Sequence, residues 1–221
     1  MQAKSRQIES NQAGMHENLQ SVVRKHLDSP FKKPFAQHTV AAFEAIKPAV
    51  EAALGQDSGL IFDSGCGTAM STRKLALQYP DSLVIGMDRS AHRLGKQYNQ
   101  VLPANAHLVQ AECSDFWRLA VKAGWKLQKH TVFYPNPYPK ASHLKRRWHA
   151  HPAFPALLEL GGKLELRSNW KTYVDEFCQA LSIAGYDCIV KQINPGEVMT
   201  LFEKKYQQSG QLLYACEAEL G

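Results

Sequence analysis

Leu60-Ile61-Phe62-Asp63-Ser64-Gly65-Cys66-Gly67-Thr68-Ala69-Met70 runs from a short apolar strand into a glycine turn and on toward a helix. Gly65 and Gly67 let the backbone turn sharply and approach a ligand closely. Twenty-one residues beyond Gly67, the apolar run Leu83-Val84-Ile85-Gly86-Met87 ends at Asp88. A carboxylate at the end of such a strand accepts hydrogen bonds from the two hydroxyls of a ribose. Strand, glycine turn, helix, strand and terminal acid in this order predict a nucleotide-like ligand. Two absences narrow it: Met70 stands where a Gly-x-Gly-x-x-Gly loop has its third glycine, and the lysine of a Walker loop is missing.

The same alternation continues outward. His107-Leu108-Val109, Thr131-Val132-Phe133-Tyr134, Lys163-Leu164-Glu165-Leu166, Cys188-Ile189-Val190 and Leu212-Leu213-Tyr214-Ala215-Cys216 predict five further strands. Helical patterns over 37–54, 71–78, 91–99, 116–122, 154–160 and 171–184 fit around them. Seven strands with mostly helical crossovers make the expected fold class α/β, a doubly wound, mostly parallel, Rossmann-like sheet. Residues 1–36 read as a polar, basic N-terminal extension and 37–221 as the folded domain.

With 221 residues, 44% hydrophobic and 21% charged, the composition is that of one soluble folded domain and excludes a fibre, a tail or a disulfide scaffold. No apolar run approaches the roughly 18 residues needed to cross a bilayer, and residues 1–10 lack the apolar stretch of a signal peptide. The expectation is a cytoplasmic protein with no membrane partner; the sequence sets no oligomeric state. Cys66, Cys113, Cys178, Cys188 and Cys216 form an odd set without Cys-x-x-Cys spacing, which suggests neither a zinc knuckle nor a disulfide framework. They read mostly as small buried apolar residues. His143, His149 and His151 have no companion ligand pattern, so no metal is assigned.

The net charge of +6 suggests an anionic partner. It is unevenly spread. Between Asp115 and Glu159 there is no acid, while Arg118, Lys122, Lys126, Lys129, Lys140, Lys145, Arg146 and Arg147 supply +8. Inside this stretch the fourth strand runs into Pro135-Asn136-Pro137-Tyr138-Pro139-Lys140, where three prolines stiffen a loop at the carboxyl end of a central strand, the ligand side of a doubly wound sheet. A rigid polar loop followed by a basic run fits a reaction site on a phosphate backbone.

The Asp-x-Gly-x-Gly form of the first loop resembles the first motif of class I S-adenosylmethionine-dependent methyltransferases. That resemblance implies S-adenosylmethionine as cofactor and S-adenosylhomocysteine as product, with Asp63, Gly65, Cys66 and Gly67 in the loop facing its amino-acid part. It implies Asp88, with Arg89 beside it, at the ribose, and Glu112 with Cys113 at the adenine. The segment after the fourth strand resembles the tRNA (guanine-N7-)-methyltransferase family in Pro135, Pro137, Lys140, His143, Lys145, Arg146 and Arg147. Ser168-Asn169-Trp170-Lys171-Thr172-Tyr173 and Thr200-Leu201-Phe202-Glu203 resemble two later elements of that family. The likeness spans residues 60–217. It implies methyl transfer to RNA, at guanine N7 in tRNA, with Tyr138 as a stacking surface, Lys140, Lys145, Arg146 and Arg147 toward the RNA, and Asn169, Thr200 and Glu203 toward the guanine.

Three positions depart from the family. Asn136 and Asn169 stand where its members carry aspartates that hold the target guanine, and Tyr138 stands in place of tryptophan. Asn136 is the catalytic candidate. An amide oxygen still accepts from a guanine N–H but does not stabilise a cationic product as a carboxylate does, so weaker or altered activity is expected. Asn136-Pro137-Tyr138 also resembles the Asn-Pro-Pro-aromatic motif of amino-methyltransferases acting on adenine N6 or cytosine N4, although the second proline is missing. A third alternative is a catalytically silent RNA-binding protein of methyltransferase fold.

Overall fold

In the computed structural model, which describes residues 5–96 and 101–221, the alternating segments form one sheet with helices between its strands. In chain order the elements are α1 (Leu19–Leu27), α2 (Gln37–Leu54), β1 (Gly59–Ser64), α3 (Met70–Gln78), β2 (Ser82–Asp88), α4 (Ala91–Leu94), β3 (Ala106–Gln110), α5 (Cys113–Lys122) and β4 (Lys129–Phe133). Two 3-10 helices follow, Ala141–Arg146 and Trp148–Ala150, then α6 (Phe154–Glu159), β5 (Gly162–Ser168), α7 (Lys171–Ile183), β6 (Cys188–Ile193), α8 (Leu201–Gln208) and β7 (Leu213–Leu220). The sheet order is β3-β2-β1-β4-β5-β7-β6. β1 pairs in parallel with β2 and β4, and β2 with β3; β6 and β7 are antiparallel. The expected seven-stranded, mostly parallel sheet is present.

The chain divides into two units. One comprises Lys33–Phe133, Ala156–Leu164 and the last two residues. Its strands β1 and β2 are almost wholly buried, as covered parallel strands must be. Phe43 of α2, Phe62 of β1, Phe116 of α5 and Trp125 form an aromatic cluster, with the Phe43 and Trp125 rings stacked at 4.6 Å. Gly86 interrupts the apolar run of β2 because α3 packs against it: a Cβ there would meet Thr72 Oγ1 at 2.3 Å. The helix expected over 91–99 is capped by the Ser90 side chain and ends at Leu94; its residues 97–99 lie outside the described residues.

The other unit comprises the stretch up to Lys32, Tyr134–Pro155 and Glu165–Glu219. Two of its helices escape the sequence reading. In α1, Leu19 and Val23 stand one turn apart and are buried, and the helix packs on α7, so the basic extension carries a narrow apolar stripe. In α8, the Thr200 hydroxyl accepts from the Glu203 N–H at 3.0 Å and caps the first turn. No helix among the described residues is long and apolar enough to cross a membrane.

The cysteine reading needs a correction. Cys66, Cys113 and Cys216 are buried free thiols, but Cys178 and Cys188 form a disulfide. Packing of α7 on β6 brings their Cα atoms to 5.8 Å, a long-range proximity that a spacing of ten residues does not reveal.

Candidate functional site

The first unit builds a cradle from the ends of β1 and β2. Gly65 and Gly67 adopt φ of +80° and +60°, a region open to glycine at little cost, and space lies open where a side chain on either would project. The loop is tied to the neighbouring strand end: the Gly65 and Cys66 N–H groups donate to the Met87 carbonyl at 2.8 and 3.0 Å. Gly67 N–H donates to Asp88 Oδ2 at 3.1 Å, and Ser90 N–H to Asp88 Oδ1 at 2.8 Å. The half-exposed Arg93 reaches the same Oδ2 at 3.3 Å.

Asp63 plays a different part from the one its motif position implies. It is only 1% exposed. Its Oδ2 accepts from the Ser71 and Thr72 hydroxyls at 2.6 and 2.7 Å, and its Oδ1 from Thr131 at 3.0 Å. Burial raises its pKa while those three hydroxyls oppose the rise. Asp63 therefore braces the loop from beneath by joining β1, α3 and β4.

Glu112 occupies the N-cap position of α5, yet its side chain makes no cap hydrogen bond; the acid in the first turn, Asp115, instead accepts from the distant Ala36 N–H at 2.9 Å. The backbone N–H of Glu112 is held by Thr39 Oγ1 at 3.0 Å. Cys113 next to it is buried, and burial together with Asp88 pushes its thiol up to about 12. Cys66 is likewise shifted well upward by burial and by Asp63 and Asp88. Both sulfurs act as neutral apolar lining. Arg89 is exposed.

The second unit carries the proline loop, which begins at Tyr134, directly after β4. Asn136 is exposed, and its Oδ1 accepts from the Tyr138 N–H at 3.3 Å. Tyr134 and Tyr138 have φ of +52° and +45°, unusual for bulky residues. Each is held from outside: the Tyr134 hydroxyl donates to Glu203 at 2.8 Å, and the Tyr138 carbonyl accepts from Arg147 Nε and Nη2 at 3.2 and 3.1 Å.

Arg147 is the largest departure from expectation. Its side chain is fully buried. Besides Tyr138 it reaches the Lys140 carbonyl at 3.3 Å, Gln12 Oε1 at 3.1 Å and Glu176 Oε2 at 2.5 Å, and its guanidinium lies 4.9 Å over the Trp170 ring. It cannot reach a phosphate; it is a tether for the loop. Glu176 also accepts from His149 Nε2 at 3.0 Å, His16 N–H at 2.9 Å and Gln12. Burial alone would raise the Glu176 carboxyl, but His149 and Arg147 draw it down to about 2. Burial lowers the pKa of His149 itself, against the pull of Glu176.

The N-terminal segment belongs to this arrangement. The Ser10 hydroxyl donates to the Pro139 carbonyl at 2.6 Å, and Asn11 Oδ1 accepts from the Ala141 N–H at 3.0 Å. Gln12, Asn11 and Ser10 have no local sequence pattern that announces this; each contact spans about 130 residues of chain or more.

Thr200 and Glu203 are also spent inside the fold. Glu203 is fully buried, with Oε1 taken by Tyr134 and Arg167 and Oε2 by the Met199 N–H. Both Glu203 carboxylate oxygens are thus engaged inside the fold, while Thr200, half-buried, accepts the Glu203 N–H. Asn169 donates to Gln211 Oε1 at 2.7 Å. Lys140, Lys145 and Arg146 are exposed, and Arg146 lies 5.8 Å over the half-buried Tyr138 ring. Of the +8 run, Lys129 and Arg147 are buried and Arg118 pairs with Asp115, whereas Lys140, Lys145 and Arg146 carry exposed charge at the loop.

Residues 57–216 match a family model described as "Putative methyltransferase". The tRNA (guanine-N(7)-)-methyltransferase of Ectopseudomonas mendocina (strain ymp) is 28% identical over 139 residues, covering 60% of this chain; the chain thus spans 58% of that relative's length. The protein of the same name from Geobacillus thermodenitrificans (strain NG80-2) is 26% identical over 84% of this chain and 94% of its own. Among solved structures, the 16S rRNA methyltransferase KamB superposes with a TM-score of 0.60 at 17% identity, over 86% of this chain and 96% of its own.

Proposed function

The chain belongs to this methyltransferase family, and we propose that it transfers a methyl group from S-adenosylmethionine to RNA, at guanine N7 of tRNA. The observation that carries the reading is the cradle: a glycine loop with open space before Gly65 and Gly67, pinned through Gly67 N–H to Asp88. Its fit to the cofactor is chemical. Asp88 uses three of its roughly four lone-pair sites internally, and the one held by Arg93 is released when that half-exposed side chain swings away. A ribose diol then has two acceptor sites. In this reading Glu112, whose side chain makes no cap hydrogen bond, meets the adenine, with Cys66 and Cys113 as apolar lining.

The cofactor supplies an electrophilic methyl on a sulfonium. Guanine N7 already presents a lone pair, so no residue need remove a proton, and catalysis is placement. In this reading Asn136 holds the base: one lone pair of Oδ1 is taken by Tyr138 N–H, and the other accepts from a guanine N–H. Tyr138 offers a face for stacking, while Lys140, Lys145 and Arg146 meet phosphates. Arg147 and Glu203 act at one remove, fixing the strained backbones of Tyr138 and Tyr134. The relatives named above support guanine N7 as the target.

Borohydride reduction followed by aniline cleaves RNA at 7-methylguanosine. Unmodified tRNA treated with the protein and S-adenosylmethionine should break at a guanosine; intact tRNA bearing a transferred methyl elsewhere would refute the N7 assignment, and absence of transfer would favour a silent RNA-binding protein.

A further inference from the structure

Three sulfur atoms from three elements converge in the unit that carries β6 and β7. Cys178 lies on α7, Cys188 opens β6, Cys216 lies on β7, and their Sγ atoms all fall within 4.8 Å of one another. Strand register explains part of this. Cys188 pairs with Ala218 and Val190 with Cys216, so Cys188 and Cys216 are diagonal neighbours on one face of the ladder. α7 packs on β6 and brings Cys178 over them. The Cys178–Cys188 disulfide uses two of the thiols and leaves the third, buried Cys216, beside it.

We propose that in the reduced protein Cys178, Cys188 and Cys216 bind one thiophilic divalent cation of the zinc type, as a structural site separate from methyl transfer. Thiolates select such soft ions over magnesium or calcium. At a Zn–S distance of about 2.3 Å, tetrahedral ligands stand roughly 3.8 Å apart, within the spread of these sulfurs once the disulfide is open. Opening it takes a dithiol, which gives two electrons and two protons to the Cys178–Cys188 bond and becomes a disulfide itself. Binding of the ion then releases one proton from each of the three thiols. The bound ion joins α7, β6 and β7 at three points where the disulfide joins α7 and β6 only. Spacing alone does not show this set, because each ligand comes from a different element.

Full-length protein, reduced with a phosphine under nitrogen and desalted, is titrated with Co2+ alone. The expected result is thiolate-to-cobalt charge-transfer absorption that saturates at one equivalent, is bleached by zinc, persists in the Cys66→Ser/Cys113→Ser variant and is lost in Cys216→Ser. Cys188→Ser, at a half-exposed position, carries the same prediction should Cys216→Ser lack the native circular-dichroism spectrum. Zinc should also raise the unfolding temperature of the reduced protein and leave the oxidised one unchanged. No charge-transfer band when five thiols titrate in denaturant, or a band that survives Cys216→Ser, would overturn the proposal and leave Cys216 a bystander to a plain disulfide. Neither tRNA nor S-adenosylmethionine enters these measurements, so they stand or fall apart from the proposed activity.

Discussion

Arg147 Nη1 lies 2.5 Å from Glu176 Oε2, and both side chains are fully inaccessible to solvent. Two buried charges of this kind make a tether whose removal from one side leaves the other unpaired. Arg147→Met should therefore destabilise the protein by about 3–5 kcal/mol, and Glu176→Gln by a similar amount, in denaturant titrations. Loss of less than about 1 kcal/mol in both would show that the pair is not a structural tether.

Lys145 and Arg146 sit in the same basic run but are exposed. Their replacement by alanine should change stability by no more than about 0.5 kcal/mol while lowering the slope of log K against log salt for tRNA binding by about 0.7–0.9 per residue. An unchanged slope for the double variant would remove these cations from the RNA interface.

At the cradle, Asp88 and Arg93 should separate. Asp88→Ala should weaken S-adenosylmethionine binding at least about tenfold, the equivalent of 1.4 kcal/mol, whereas Arg93→Ala should leave it equal or tighter, because it frees Oδ2. Isothermal titration tests both; parallel losses in the two variants would mean that Arg93 itself binds the cofactor.

His130 gives a pH signature. It is buried, with Nε2 2.8 Å from Ser64 Oγ, and burial lowers its pKa to about 3. Its folded value lies below the unfolded one, so between them the unfolded chain binds the extra proton. Its contribution to stability is complete above about pH 6.5 and declines as pH falls toward 3. From pH 7 to pH 5 the wild type should lose about 2 kcal/mol more than His130→Gln, at 1.36 kcal/mol per pKa unit. Equal losses in the two proteins would contradict a neutral buried imidazole.

The strands and the cradle were readable in sequence because their signals are local. An apolar run, two glycines and an acid within thirty residues encode both a backbone path and the groups along it. Position in a motif did not distinguish bracing from binding, however. Asp63, Arg147 and Glu203 occupy the expected places, but the fold buries all three, and burial depends on neighbours remote in the chain. Glu176 looks like an ordinary helix acid, and Gln12 lies in a polar leader. Their meeting with Arg147 joins segments 29 and 135 residues from it, a proximity carried by no spacing. The apolar stripe of α1, Leu19 and Val23, was present but too short to stand out from its charged surroundings.

Asn136 stands where carboxylates occur in the family that the loop resembles. In the proposed reaction, an amide at this point would hold the base without offsetting the positive charge that develops on methylated guanine. Asn136→Asp should raise the rate of methyl transfer to tRNA without altering stability by more than about 0.5 kcal/mol. A rate unchanged or lower in single-turnover assays would show that the amide does not limit the reaction.

The most direct measurement is the identity of the product. Unmodified tRNA, protein and methyl-labelled S-adenosylmethionine are incubated together, the RNA is digested to nucleosides, and the labelled species is identified by mass spectrometry. The expected labelled nucleoside is 7-methylguanosine, abolished in Asp88→Ala. Labelled N6-methyladenosine or N4-methylcytidine, or no labelled nucleoside, would contradict the proposed function.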